Sequence, residues 1–287
     1  MIKELVVISG KGGTGKTSIT AAFSFIAKNK VMADCDVDAS DLHLVLNDTI
    51  IESGEFFGGK KASIDAKICI RCGLCVSYCR FNAINNLYEV DDLTCEGCGV
   101  CAFFCPSKSI EMNDHVSGRW YISDTPYGPL VHAKLGIAEG NSGKLVTILR
   151  QKARVIAQKK GHTLIIVDGS PGTGCPVIAT ITGAAHVLIV TEPTVAGIHD
   201  LNRILELTRH FCVQTSVCVN KADINGEKKH EINELCRTNN VQMLMEIPYD
   251  NEVILAQIAG KSVVEYSNGP AAGAIKKLWE EVSAAVF

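Results

Sequence analysis

"VVISGKGGTGKT", residues 6–17, decides how the chain is read. A β-branched run ends in a glycine-rich turn, and the turn leads directly into a stretch with helical periodicity. Gly10 to Thr17 satisfies the spacing G-x-x-x-x-G-K-[ST] in the strand, loop and helix context that this spacing requires. In such a loop the backbone amides and the helix N-terminus converge, and their partial positive charge suits phosphate oxygens. Gly10, Gly12, Gly13, Thr14, Gly15 and Ser18 are therefore candidates to hold ATP or ADP. Lys16 is placed to reach the β- and γ-phosphates, and Thr17 to ligate Mg²⁺.

Outward from the loop, short apolar runs recur at "VMADCD", "HTLIIVDG", "HVLIVTEP", "TSVCVNKAD" and "MLMEIPYD". Helical patterns separate them, and in one of these Val195, Ile198, Leu201, Leu205 and Thr208 fall on a single face. Continuous apolar strands suit a parallel sheet covered on both faces. Their alternation with helices predicts an α/β fold with a doubly wound, mostly parallel sheet, its ligands at the carboxyl ends of the strands. From about Gly58 to Val116 the alternation stops and cysteines accumulate. The reading is a P-loop domain over 1–57 plus 117–287, with a small α+β insert over 58–116.

The 287 residues exceed the usual single domain, and 47% hydrophobic with 21% charged residues is a globular composition. A net charge of −3 without a Lys/Arg block argues against a nucleic-acid partner. "MIKELVVISG" enters a strand at once, without the features of a signal peptide, and no apolar run reaches the roughly 18 residues of a membrane span. A cytoplasmic protein is expected. In that compartment thirteen cysteines point to metal or redox chemistry rather than disulfides.

Eight of the thirteen lie between Cys69 and Cys105. Cys69, Cys72, Cys75 and Cys79 have the spacing C-x2-C-x2-C-x3-C; Cys95, Cys98, Cys101 and Cys105 repeat it, with Pro106 behind. Zinc also binds C-x2-C pairs, but two copies of this run match the bacterial two-cluster ferredoxins, in which each fourth cysteine serves the other cluster. The expected sets are Cys69, Cys72, Cys75 and Cys105 for one 4Fe-4S cube, and Cys95, Cys98, Cys101 and Cys79 for the second. Arg80 stands where a proline is expected after Cys79. Similarity of "CIRCGLCVSYCRFNAI" to "CEGCGVCAFFCPSKSI" marks an internal repeat with two equivalent sites.

"KGGTGKT" resembles the deviant Walker A loop of the MinD/ParA/nitrogenase-iron-protein ATPases, whose signature lysine sits at the position of Lys11. In that family this lysine reaches across a dimer to the other subunit's nucleotide, so the resemblance implies a nucleotide-dependent homodimer. "ADCDVDASDLHLVL" places Asp36 at the family's switch I aspartate, which positions the attacking water. "LIIVDGSPG" places Asp168 at the Walker B aspartate, which holds Mg²⁺ through water. Lys11, Lys16, Asp36 and Asp168 are thus the catalytic candidates. "VNKAD" and "IPYD" lie where family members read the base, which makes Asn220, and then Asp223 and Pro248, adenine-site candidates. With its cysteine insert, the chain resembles the MinD/Mrp-type branch that carries a ferredoxin domain. The cobyrinic acid a,c-diamide synthase-like name of that branch would require a glutaminase-like segment, and none is seen.

Other residues read as structural or stay open. Asp34, Asp38 and Asp41 are expected to be solvated or capping, and His132 and His199 to be structural. The last helix is expected to pack on the sheet, because Lys276, Lys277, Glu280 and Glu281 balance, unlike a basic interfacial helix. Cys175 has the offset from Asp168 of a cluster ligand in the nitrogenase iron protein, or is a packed, redox-idle thiol. The expected function is ATP hydrolysis and dimerisation coupled to electron transfer with a redox or client protein. The alternatives are an ATPase factor for iron-sulfur or metallocofactor assembly and a redox-sensing switch that recruits a partner.

Overall fold

The computed structural model describes residues 2–137, 139–140 and 143–287. Among these residues nine strands form one sheet: β1 (Lys3–Ser9), β2 (Lys30–Asp34), β3 (Thr49–Ile64), β4 (Ile110–Asp124), β5 (Leu130–Leu135), β6 (Leu164–Asp168), β7 (His186–Thr191), β8 (Thr215–Asn220) and β9 (Gln242–Ile247). The order is β3-β4-β5-β2-β6-β1-β7-β8-β9, and the pairs from β5 to β9 are parallel. Two compact units divide the chain: one of Met1–Ser53, Trp120–Lys134 and Asn141–Phe287, the other of Gly54–Arg119 with Leu135–Gly140.

The first unit is an α/β sandwich. Leu5, Val7, Met32, Ile166, Leu188 and Val190 enter one core with Phe23 and the terminal helix Pro270–Val286. Successive strand side chains point to opposite faces. Val6, Ile8, Val31, Ile165, Val167, Val187 and Ile189 are nevertheless just as buried. Both faces are therefore covered, which is why these strands read as unbroken apolar runs. The terminal helix buries Ala271, Ala272, Ile275, Leu278, Val282 and Val286, and Trp279 packs on Phe23 with ring centroids 5.0 Å apart. Among the described residues no helix is long and apolar enough to cross a membrane.

In the second unit the cysteine repeat extends to individual hydrogen bonds. Cys69 N donates to the Asp65 carbonyl and Cys95 N to that of Asp91. Gly73 (φ 80°) and Gly99 (φ 76°) open the short helices Leu74–Tyr78 and Val100–Phe103. Ala83 N donates to Cys79 Sγ at 3.3 Å, and Ser109 N to Cys105 Sγ at 3.4 Å. Gly97, at φ +63°, is required sterically, because a Cβ there would stand 2.0 Å from the Lys60 carbonyl oxygen. Ala62, Cys75, Ala83, Ile84, Cys95 and Ile110 form a small core of their own.

Candidate functional site

Parallel pairing brings the chemistry to one edge of the first unit. β1, β2, β6, β8 and β9 end at Ser9, Asp34, Asp168, Asn220 and Ile247, and the register sets Asp168 opposite both Val7 and Asp34. The helix Lys16–Ile26 begins at Gly15, φ 90°, without a side-chain cap or an acidic residue in its first turn. Its amides thus meet no side-chain competitor for an anion. A Cβ on Gly15 would stand 2.2 Å from Asn220 Nδ2, so only glycine lets the loop reach the end of β8.

Lys16, 5% exposed, is shared by two carboxylates: its Nζ lies 2.9 Å from Asp168 Oδ1 and 3.1 Å from Asp36 Oδ2. Burial opposes its charge, but Asp168 and Asp36 outweigh burial and the ammonium pKa is raised. Thr17 donates to Asp168 Oδ2 at 2.8 Å, and Thr20 to Oδ1 at 2.9 Å. Burial, opposed by Lys16, raises the Asp36 carboxyl.

Of the two roles expected of it, solvated or capping, Asp34 does not take the first. It is fully buried, accepting from Asp36 N, Ser40 Oγ and Leu42 N, the last of these at the start of the helix Leu42–Leu46. Burial and the charge of Asp168 push its pKa up to about 8, against Lys16. The cause is its place in the sheet: it ends a fully buried strand beside another strand that also ends in Asp.

A cavity of about 520 Å³ opens over this edge, within the usual range for a small-molecule site. Gly12, Gly13, Thr14, Gly15, Lys16, Thr17, Ser18, Asp36, Asn220 and Pro248 line it. Thr14 Oγ1 and Asp36 Oδ1 are buried without a hydrogen-bond partner among the described residues, as a hydroxyl facing a phosphate oxygen and a carboxylate facing water or a hydrated cation would be. Gly10 and Lys11 stand outside the cavity wall. Lys11 Nζ lies 2.5 Å from Glu192 Oε1. Asn220 Nδ2 donates to the Thr14 carbonyl at 2.8 Å, and Asp223 accepts from Tyr249 N at 2.7 Å. Lys221, Tyr249 and Gln257 also line the cavity, and sequence reasoning missed them along with Thr20 and Glu192. Only Thr20 left a usable signal: it lies four residues after Lys16 and so shares its helix face.

In the second unit Cys69, Cys72, Cys75 and Cys105 line one cavity, with Ile70, Tyr88, Ser109 and Ile110. Burial, with nearby Cys69 and Cys72, raises the Cys75 thiol; burial, with Cys95 and Cys98, raises that of Cys101. The Ser109 hydroxyl holds Cys105 down to about 7. Cys79, Cys101 and Cys105 pack against the small core around Cys75 and Cys95. Among the described residues no three His, Cys, Asp or Glu side chains are spaced to hold a single metal ion. Cys175 is exposed at the start of the helix Cys175–Ile181. His132 stacks between His43 and Tyr121, at 5.1 Å from each.

This architecture recurs in known proteins. The septum site-determining protein MinD of Pyrococcus horikoshii, solved with Mg-ADP, superposes with a TM-score of 0.61 at 17% identity, over 98% of this chain and 96% of that one. MinD in the MinC:MinD complex of Aquifex aeolicus gives 0.58 at 17% identity, over 98% and 96%. In sequence, the uncharacterized protein MJ0578 of Methanocaldococcus jannaschii is 32% identical over 98% of this chain and 97% of its own. The pattern described as the CobQ/CobB/MinD/ParA nucleotide binding domain matches residues 5–263, which include the loop, Asp36, Asp168 and Asn220. With the fold and the glycine-rich loop in agreement, the chain belongs to the CobQ/CobB/MinD/ParA nucleotide-binding family of P-loop ATPases.

Proposed function

We propose that the protein is an ATP-driven switch whose nucleotide state and self-association govern a two-cluster iron-sulfur module. In the ATPase site, Lys16 would hold the β- and γ-phosphates, Thr17 and Asp168 would hold Mg²⁺, and Asp36 would orient the attacking water. Lys16 shared between Asp36 and Asp168 supports this assignment. A triphosphate competes for the lysine and Mg²⁺ for Asp168, so binding redistributes charge at the ends of β2 and β6. Lys11 would cross to a second copy of the chain. The orphaned Thr14 hydroxyl and Asp36 oxygen fit this site.

The observation that carries the redox half is the position of Cys105. It lines the cavity of Cys69, Cys72 and Cys75, although the whole second cysteine run separates it from them in sequence. This interlocked set is the one expected of a two-cluster ferredoxin. Cysteine thiolates are soft donors, and four of them are the ligand set that a 4Fe-4S cube takes. When bound, such cubes supply one-electron redox chemistry. The chain's part is to donate N–H···S bonds from Ala83 and Ser109 and to bury Cys75 and Cys95, both of which tune potential. A second reading, a partner-recruiting switch with the cysteine unit as redox sensor, is favoured by the likeness to MinD, one relative being solved with MinC.

Anaerobic purification, then electron paramagnetic resonance and redox titration with and without Mg-ATP, tests the reading. Two 4Fe-4S signals are expected, with potential or electron-transfer rate shifted by nucleotide in the wild type but not in Lys16→Ala. Cys72→Ser and Cys105→Ser should lose the same signal, and Cys79→Ser the other. Clusters indifferent to nucleotide would leave the recruiting switch; absence of iron would remove the redox half altogether.

A further inference from the structure

One carboxylate that belongs to no motif gathers two lysines of the nucleotide loop region. Glu192 follows β7 and is 8% exposed. Its Oε1 lies 2.5 Å from Lys11 Nζ and its Oε2 lies 3.2 Å from Lys221 Nζ. Lys221 Nζ also donates to the Gly13 carbonyl at 3.1 Å, so the cluster grips the loop through backbone as well as side chain.

The carboxylate is itself well anchored. The chain turns at Pro193 into the helix Val195–His210, which Thr194 caps through Gly197 N. Thr191 Oγ1 donates to the Gly197 carbonyl at 3.1 Å, and a Cβ on Gly197 would stand 2.3 Å from the Glu192 carbonyl oxygen. Backbone packed this closely fixes where Glu192 sits. Lys11, by contrast, is about one-third exposed on a glycine-rich loop and is the movable partner.

We propose that Glu192 is the positioning residue for Lys11: it retains the loop lysine on its own subunit and yields it when a second copy of the chain presents a bound triphosphate. This rests on the reading of Lys11 as the residue that crosses to a second copy. A triphosphate carries several negative charges where Glu192 carries one, so the transfer is electrostatically favourable once the copies meet. The two-lysine arrangement keeps the cost of release low. When Lys11 leaves Oε1, Lys221 still holds Oε2, and the buried carboxylate is not stranded without a cation. The contact thus sets a threshold for assembly without blocking it.

Sedimentation velocity on the full chain, titrated in protein concentration with Mg²⁺ and the non-hydrolysable analogue AMP-PNP, tests this. Glu192→Gln should dimerise at a protein concentration lower by roughly fivefold, the scale of one partly exposed ion pair. Analogue affinity, measured at concentrations where the chain is monomeric, should move far less. A merely structural role would act in the opposite direction, weakening assembly. If Glu192→Gln melts early, Glu192→Asp carries the test, because its shorter arm cannot span both lysines and should also lower the threshold. An unchanged or raised threshold in the folded variant overturns the proposal. Lys11→Gln should not dimerise with either residue at 192. If it does, the role of Lys11 fails and the Glu192 proposal with it; if it does not while Glu192→Gln behaves as wild type, only the Glu192 proposal fails.

Discussion

Three carboxylates, those of Asp34, Asp36 and Asp168, act on the single ammonium of Lys16. Such a surplus of negative charge in a buried place is relieved by a proton, and the fully buried Asp34 holds it best. Its folded pKa is about 8, against about 4 in an unfolded chain. Between those values the folded state binds the extra proton, so stability falls as pH rises across that window. Asp34→Asn removes this dependence. Urea unfolding at pH 5 and pH 8 should show the wild type losing at least about 1 kcal/mol more than the variant over that interval; parallel losses would contradict the assignment. Lys16 and Thr17 stand out in the sequence because they belong to a spaced motif, Asp36 and Asp168 only through the resemblance of their stretches to a known family. Asp34 was legible only in part. Its acidic neighbours "DVDASD" suggest a solvated loop, and its burial depends on lying beside Asp168 in the adjacent strand. Glu192 was illegible for a similar reason: its lysines come from the loop at residue 11 and from the end of β8.

At the scale of elements, legibility followed burial. The strands around "LVVIS", "LIIVD" and "HVLIVT" are covered on both faces and announce themselves as apolar runs. β3 and β4, at 16 and 15 residues, are the longest of the described strands, where the sequence suggests no more than a short element around "SIEMND", residues 109–114. In β3 only Phe56 and Ala62 are buried, and "GEFFGGKKAS" holds three glycines and two lysines, so neither alternation nor an apolar run betrays it. The terminal helix behaves as its pattern requires, with an apolar stripe on the core and its lysines and glutamates outward. Leu278 is wholly buried among these residues. Leu278→Ala should cost about 2–5 kcal/mol in the denaturant transition of the first unit, whereas the exposed Lys277→Ala should change it by less than about 0.5 kcal/mol. Equal effects of the two would mean that the stripe does not carry the packing.

At the scale of the molecule, the second unit is completed from outside its cysteine-rich stretch. Leu135–Gly140 belongs to it: Gly136 N donates to the Ser117 carbonyl, and Glu139 sits 3.4 Å from Lys61 and 3.1 Å from His115. No local pattern signals such a contribution, because it depends on where the chain returns rather than on what the segment is made of. Glu139→Ala should leave Lys61 without this partner and accelerate amide hydrogen exchange in 58–64 and 110–117 by about tenfold, with 5–9 unchanged. Uniform acceleration, or none, would show that the carboxylate is not a local tie. The chain therefore passes between the units four times, at 53/54, 119/120, 134/135 and 140/141. A cysteine unit stitched in this way is not a portable cassette. Recombination could not lift it into another ATPase as one uninterrupted piece of gene, and a single proteolytic cut could not release it. Its two segments must be inherited together, within the reading frame of the ATPase that surrounds them.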